Sequence, residues 1–448
     1  MRTDGRARPD TPSPPVAGGR SGYLGQLARL VHLAELRSRP IELMRRLRRE
    51  YGSVFTISVP FQLTPSITFL TSRRGYDTVL GLNPEIGTNG PVIAKLPLLN
   101  QWIPRSDASP EHLQQLLLVG RQFIAGRLLA PERMAAVPAL VEAGVHRHVA
   151  SWAGTTDLSR GVVELLHDLS GRCVLGAQAW ERLAPDVLPL MGALVRCVDA
   201  ANAARNLTPL QYLSREYWAA RRLHAVLGDL VDEHRATGAF ALLDEIAAIR
   251  LPDGRPLPAG DMVWMLLFAL WNAVIYTGTY GFWTLIDALT DAEAVGRVRA
   301  ATVQDRRRFL EHCFLETLRL HPISWQLRML TAPVVYEEAG RSYQVPAGHL
   351  LGAYSYEFSR DPTSYTQPEH WRPARYERGE ATPSVFGRGA FSCVAGHYSK
   401  LFIRSVLERL LMDWDIRLLD PAPPKTCRVH LLYPDRRVRA RITPRRRA

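Results

Sequence analysis

The sequence predicts a mainly helical protein whose short strands gather near its two ends. Three observations carry that expectation. Apolar residues recur at helical spacing from about residue 110 to 320. Near the N-terminus, "SVFTISVP" and "SITFLTS" alternate with the period of strands. From Ala332 onward, short strand signals and proline or glycine turns take over, interrupted by one more helix. With 448 residues the chain is long enough for two or three ordinary domains, or for one large helical domain with a deep interior. Hydrophobic residues at 46% and charged residues at 22% are typical of a soluble globular chain, and no internal repeat is visible.

In chain order, residues 1–22 combine Pro, Gly, Arg and Ser with almost no large apolar side chain, a composition that predicts a disordered lead. Folded structure is expected from Tyr23, where "YLGQLARLVHLAELRSRPIELMRRLRREYG" has amphipathic helical spacing. Between Asp261 and Asp287 lies "MVWMLLFALWNAVIYTGTYGFWTLI", which has no charged residue. Its length alone would suit a membrane span. Asn272, Thr277, Gly278, Thr279 and Gly281 interrupt the apolar run, so a helix buried on all sides is the better reading.

The five cysteines (Cys173, Cys197, Cys313, Cys393 and Cys427) are widely spaced, with no CxxC pair. That argues against a disulfide framework and a zinc site, and a reducing cytoplasm is the simplest compartment. The net charge of +13 is concentrated partly in "RRLRRE" and in the C-terminal "RRVRARITPRRRA". No aromatic residues interleave these clusters, so nucleic-acid binding is not indicated. The excess suits a solvated surface or a docking face for an acidic electron-transfer protein.

Chemistry concentrates in "SVFGRGAFSCVAGHYSKLFIRSVLERLL", where a glycine-rich loop precedes Cys393 and a helical pattern follows it. A thiol at a helix N-terminus has its anion stabilised by the dipole and by unbonded N–H groups, which predicts a lowered pKa and a thiolate ligand. The glycines would let the backbone approach a flat cofactor. Upstream, Glu316 and Arg319 in "FLETLRLHPISW" lie three apart on one helical face and can pair. Arg375 in "HWRPARYERG" offers a second guanidinium for the same carboxylate.

Together these segments resemble the cytochrome P-450 superfamily of heme-thiolate proteins over about residues 24–440. Phe386, Gly389 and Cys393 match its cysteine signature; Glu316 and Arg319 match its Glu-x-x-Arg helix; Pro373, Arg375 and Tyr376 match its Pro-x-Arg-Phe segment. The resemblance implies a single domain over 23–448 with a large helical part and a small β-rich lobe. Heme b would lie between the long uncharged helix and the cysteine loop, with Cys393 as axial ligand and Glu316, Arg319 and Arg375 as a structural network. It also implies a hydrophobic small-molecule substrate. A soluble bacterial monomer of specialised metabolism without a membrane anchor is expected.

Departures from the pattern are informative. Phe391 stands where the family carries a basic partner for a heme propionate, and Ala395 stands where it carries glycine. Arg328 resembles the family's other propionate arginine, and His112 sits where a propionate-binding histidine is often found. No Asp or Glu occurs between Met262 and Ile286, so the acid–alcohol proton relay of oxygen-activating members is missing. By alignment on Trp283 that pair falls at Ile275 and Tyr276, with Thr277 and Thr279 as neighbouring hydroxyls. "LWNAVIYTGTYGFW" resembles prostacyclin synthase and the sterol 7- and 12-hydroxylases, of which one isomerises a peroxide and the others use dioxygen.

Two reactions are therefore expected. One is a reductase-independent rearrangement or cyclisation of a substrate with a weak O–O or N–O bond, in which an oxene or nitrene equivalent returns to the same molecule. The other is a conventional monooxygenase supplied by NAD(P)H through ferredoxin and ferredoxin reductase. A protein that only sequesters a ligand is a third class, which saturable turnover would exclude. Trp271, Val274, Ile275, Trp325, Gln326, Leu431 and Leu432 are the expected pocket walls, with Tyr276, Thr277 and Thr279 nearest the chemistry.

Overall fold

The computed structural model describes residues 11–19, 23–58, 66–88, 110–152, 154–194, 212–322, 325–420, 434 and 436–445. Helices α1 (Tyr23–Ser38) and α2 (Pro40–Tyr51) open the folded chain, and Pro40 occupies the first turn of α2, where its missing N–H costs nothing. Strands β1 (Val54–Ile57) and β2 (Ile67–Leu70) pair antiparallel. Helix α3 (Arg73–Leu80) follows, capped by Ser72, whose Oγ accepts from the Gly75 N–H at 2.9 Å, and then strand β3 (Gly87–Thr88).

Part of the expected disordered lead is built into this lobe. The Ala17 N–H donates to Thr56 O and the Thr56 N–H to Pro15 O, both at 2.8 Å, and the Gln344 N–H reaches Pro12 O at 3.0 Å. Ala17 is buried. The prolines of "TPSPP" explain the departure from composition, because pre-set φ angles lower the entropy lost on laying an extended segment against a strand.

The helical part begins with α4 (Pro110–Phe123), which runs into a π-helical turn at Ile124–Leu128. Next come α5 (Pro131–Ala150), β4 (Gly154–Asp157), α6 (Leu158–Leu175), α7 (Ala177–Leu194), α8 (Arg215–Thr237) and α9 (Ala241–Ala247). The uncharged segment lies in α10 (Ala259–Leu270), a π-turn at Trp271–Ile275, and α11 (Tyr276–Thr290). These form one helical run of 32 residues, long and apolar enough to cross a membrane, yet 78% of its apolar window is buried inside the protein. Helices α12 (Ala292–Ala300) and α13 (Val303–Leu320) complete this stretch.

Strands β5 (Trp325–Leu330), β6 (Val334–Glu338), β7 (Arg341–Val345) and β8 (Leu350–Tyr354) then return to the first lobe. They complete a five-stranded sheet of order β1-β2-β8-β5-β3, in which β2 and β8 run parallel, while β6 and β7 form a separate hairpin. A short helix α14 (Ser355–Phe358) leads to the 3₁₀ turns Pro373–Arg378 and Gly389–Phe391, then α15 (Gly396–Asp413). Strand β9 (Trp414–Leu418) pairs with β10 (Arg439–Pro444), which also pairs with β4.

One large apolar core joins the helices from α4 to α13 with α15. One tight seam is between α6 and α11, where Gly278 admits the fully buried ring of His167, and a Cβ there would collide with Nε2. Burial lowers the His167 pKa to about 4, so the imidazole is neutral. Ser170 and Thr277 meet at 2.7 Å in the same seam, each hydroxyl satisfying the other.

Candidate active site

The cysteine loop is shaped by two glycines in left-handed conformation, Gly387 (φ +72°) and Gly389 (φ +62°), which other residues adopt only with strain. The Cys393 N–H donates to Phe386 O at 2.6 Å and the Ser392 N–H to Gly389 O at 3.1 Å, closing the loop on itself. The Phe386 ring packs against Phe314 of α13, with centroids 6.2 Å apart. From the other lobe, Tyr76 Oη donates to Ser384 O at 2.9 Å and Arg73 Nη2 to Ser384 Oγ at 3.2 Å.

Among the described free cysteines, Cys313 is buried, Cys173 is half-buried and Cys393 alone is exposed. Although the residue is exposed, the protein around its sulfur desolvates it and pushes the thiol up, against the lowered value that its place before a helix predicts, and the Ala395 N–H and the Arg121 charge offset this only in part. The helix dipole does not prevail because α15 starts at Gly396, three residues beyond the sulfur.

Glu316, Arg319 and Arg375 come together beneath the loop, all fully buried. Glu316 accepts from Arg319 Nε (2.9 Å) and Nη2 (2.8 Å), Arg375 Nε (3.0 Å), Tyr376 Oη (2.8 Å) and the Arg372 N–H (2.9 Å). The guanidiniums spend their remaining donors on carbonyls of the segment before Arg375. Arg319 Nη1 reaches Ser359 O and Pro368 O, and Arg375 Nη1 reaches Thr366 O. One carboxylate thus fixes a stretch of chain that has little regular structure of its own.

In the middle of the long helix, Phe268, Asn272, Ala273 and Tyr276 are only partly buried, while their neighbours are enclosed. This stripe at i, i+4 and i+8 is the less enclosed face of an otherwise buried helix. The π-turn lies within it, and Asn272 Nδ2 donates to Phe268 O at 2.7 Å where the regular ladder is disturbed. Trp264 stacks on Phe268, with centroids 5.0 Å apart.

Several expected wall residues lie elsewhere. Trp271, Val274 and Ile275 are core. Thr277, expected near the chemistry, faces α6, and Thr279 is buried with its hydroxyl on Ile275 O at 3.0 Å. Tyr276 is on the less enclosed stripe, and Gln326 is partly exposed on β5. The Trp325 backbone pairs with Tyr354 in the sheet. Leu431 and Leu432 lie outside the described residues.

Arg328 is buried on β5, with Nη1 on Leu327 O at 2.8 Å, and desolvation lowers its guanidinium to about 10. Arg121, at the end of α4, is also depressed by burial, and the two positive charges act on one another. Two desolvated cations of one sign near an exposed thiol make a place for an anionic group, and the carboxylates of a heme fit it. His112, expected at a propionate, instead pairs with Asp261 at the start of α10, 3.2 Å away. Arg121 and the Phe268–Asn272 stripe were not foreseen. The stripe's residues stand at i, i+4 and i+8 in the sequence, which does not tell which face is enclosed, and nothing local marked Arg121.

The comparisons with known proteins agree with this geometry. A family model described as Cytochrome P450 matches residues 291–436. The chain is 26% identical to the sterol 14alpha-demethylase of Mycobacterium tuberculosis, covering 87% of this chain and 90% of the relative. It is 23% identical to the obtusifoliol 14-alpha demethylase of Sorghum bicolor, covering 93% and 86%. The 24-hydroxycholesterol 7-alpha-hydroxylase of Mus musculus is 22% identical, covering 91% and 89%. The structure of retinoic acid bound cyanobacterial CYP120A1 aligns with a TM-score of 0.74 at 15% identity, covering 97% of this chain and all of that one, which shows the shared fold. With the cysteine loop, the buried Glu316 network and full-length relatives in agreement, the chain belongs to the cytochrome P450 superfamily and is a heme-dependent enzyme.

Proposed function

We propose that this enzyme carries out a reductase-independent rearrangement or cyclisation of a hydrophobic small molecule with a weak O–O or N–O bond. The observation that carries this reading is the less enclosed stripe of the long helix. Phe268, Asn272, Ala273 and Tyr276 line it, and the run from Met262 to Ile286 contains no carboxylate to hand protons to dioxygen. A heme held by Cys393 would supply the capacity to cleave the weak bond homolytically. Arg121 and Arg328 would hold its carboxylates, and the largely aromatic stripe would limit water while the released atom forms a new bond within the same molecule. Asn272 has one amide hydrogen on the Phe268 carbonyl, and Tyr276 contributes a phenol to the same stripe.

A conventional monooxygenase is the second reading, favoured by the demethylase and hydroxylase names of the relatives. Its proton route would run through water or a substrate hydroxyl. Purified ferric holoenzyme treated with cumene hydroperoxide separates the two. Mostly acetophenone reports homolysis and supports rearrangement. Mostly cumyl alcohol reports heterolysis and overturns it in favour of the monooxygenase.

A further inference from the structure

The loop from Gly389 to Gly396 contains no charged side chain, and the position that is basic in the family is Phe391. A cation nevertheless reaches the loop from another element. Arg121, in the last turn of α4, donates from Nη2 to the carbonyl of Ser392, the residue before the thiol, at 2.6 Å. The guanidinium is partly buried, and among the described residues no carboxylate pairs with it. Its position is secured by the loop, and the π-turn Ile124–Leu128 follows α4 directly. Such turns alter the direction in which a helix end presents its side chains.

We propose that Arg121 is a positioning residue for the axial thiolate: it clamps the Ser392 carbonyl and sets a fixed positive charge beside Cys393. Two consequences follow. The hydrogen bond holds the carbonyl next to the sulfur in place and so fixes the position of the ligand. The positive charge favours the reduced iron, which carries one positive charge fewer, so the reduction potential is more positive than the loop alone would set. The inference rests on the family assignment and is independent of which reaction the enzyme performs. Failure of the rearrangement reading therefore leaves it standing.

Three variants separate charge from hydrogen bond in the heme-loaded enzyme. Arg121→Gln keeps a donor and removes the charge, Arg121→Lys keeps the charge and loses the planar fork, and Arg121→Ala loses both. The midpoint potential is expected to move negative in Arg121→Gln and Arg121→Ala and to stay near wild type in Arg121→Lys. In the ferrous carbon monoxide spectrum, the share of enzyme that has lost thiolate ligation is expected to rise in Arg121→Ala, as release of the Ser392 carbonyl predicts. Wild-type potential and wild-type thiolate share in Arg121→Gln would overturn the proposal. So would an equal fall in potential in Arg121→Lys and Arg121→Gln, because that pattern reports loop disorder and not charge. Should Arg121→Ala fail to take up heme, the two conservative variants decide.

Discussion

Replacing Glu316 with glutamine preserves shape and volume while removing the only charge shared by two buried guanidiniums. Arg319 and Arg375 keep side-chain exposures of 0% and 1%, so neither can recover water. Arg375 retains Glu380 at 2.6 Å, and Arg319 is left with backbone carbonyls alone. One glutamine amide group would also face a donor, since both carboxylate oxygens now accept from N–H or O–H groups. Removing one partner of a buried ion pair costs about 3–5 kcal/mol. That is a large part of the roughly 5–15 kcal/mol by which domains are stable. Tyr376→Phe removes a single hydrogen bond to the same carboxylate and is expected to cost about 1.5–3 kcal/mol. Urea unfolding, followed by far-ultraviolet circular dichroism and by heme absorbance, reads both losses. An unchanged slope with a loss below about 1 kcal/mol in Glu316→Gln would refute the view that this carboxylate holds the segment together. The same network gives a pH signature. Burial alone would raise the Glu316 carboxyl, but the Arg319 hydrogen bonds and charge, with Arg372 and Arg375, hold it below its usual range. Its contribution is therefore complete above the unfolded value and is lost as pH falls through the folded one.

Other regions of the fold make distinct predictions. His167, neutral down to about pH 4, binds its proton more readily in the unfolded chain. Stability is expected to fall by about 1.4 kcal/mol per pH unit between 6.5 and 4, and a His167→Leu variant should lose that slope. Gly171→Ala would drive a Cβ into the buried ring of Trp180 and should cost about 1–3 kcal/mol or more by thermal melting, with Cys393 ligation unaffected in the variants that fold. Thr277→Val should lower stability by about 0.5–1.5 kcal/mol by removing the buried Ser170–Thr277 hydrogen bond, without changing the cumene hydroperoxide product ratio. Tyr276→Phe should change that ratio while stability stays within about 0.5 kcal/mol of wild type.

The parts of the site legible in the sequence are those whose chemistry is local. Two glycines before Cys393 announce a left-handed turn, and a Glu and an Arg three apart on a helix announce a pair, because i, i+3 spacing is set by the helix itself. Arg121 was opaque because its acceptor lies 271 residues further along the chain. The face of the long helix is hidden in the sequence for a different reason. A π-turn at Trp271–Ile275 shifts the register, so Trp271, Val274 and Ile275 turn into the core while Phe268, Asn272 and Tyr276 stay less enclosed. Residues 11–19 were misjudged because composition counts apolar side chains, whereas that segment is held by backbone hydrogen bonds to β1 and β7.

Two charges that the family pattern leads one to expect are absent from the sequence, and the structure treats them differently. The cation missing at Phe391 is matched by one from outside the loop, since Arg121 reaches the Ser392 carbonyl and its charge is felt at both Cys393 and Arg328. The acid missing from the long helix is matched by nothing on the less enclosed stripe, whose described members are Phe268, Asn272, Ala273 and Tyr276. A site decaying at random would be expected to lose both functions alike. Here positive charge beside the ligand is kept by a substitute, while the less enclosed face of the long helix carries only aromatic, amide and methyl groups, and the seam behind it holds His167 in its neutral form. That asymmetry is what an enzyme would need if it must bind its cofactor as tightly as its relatives do but has no protons to deliver to the bond it breaks.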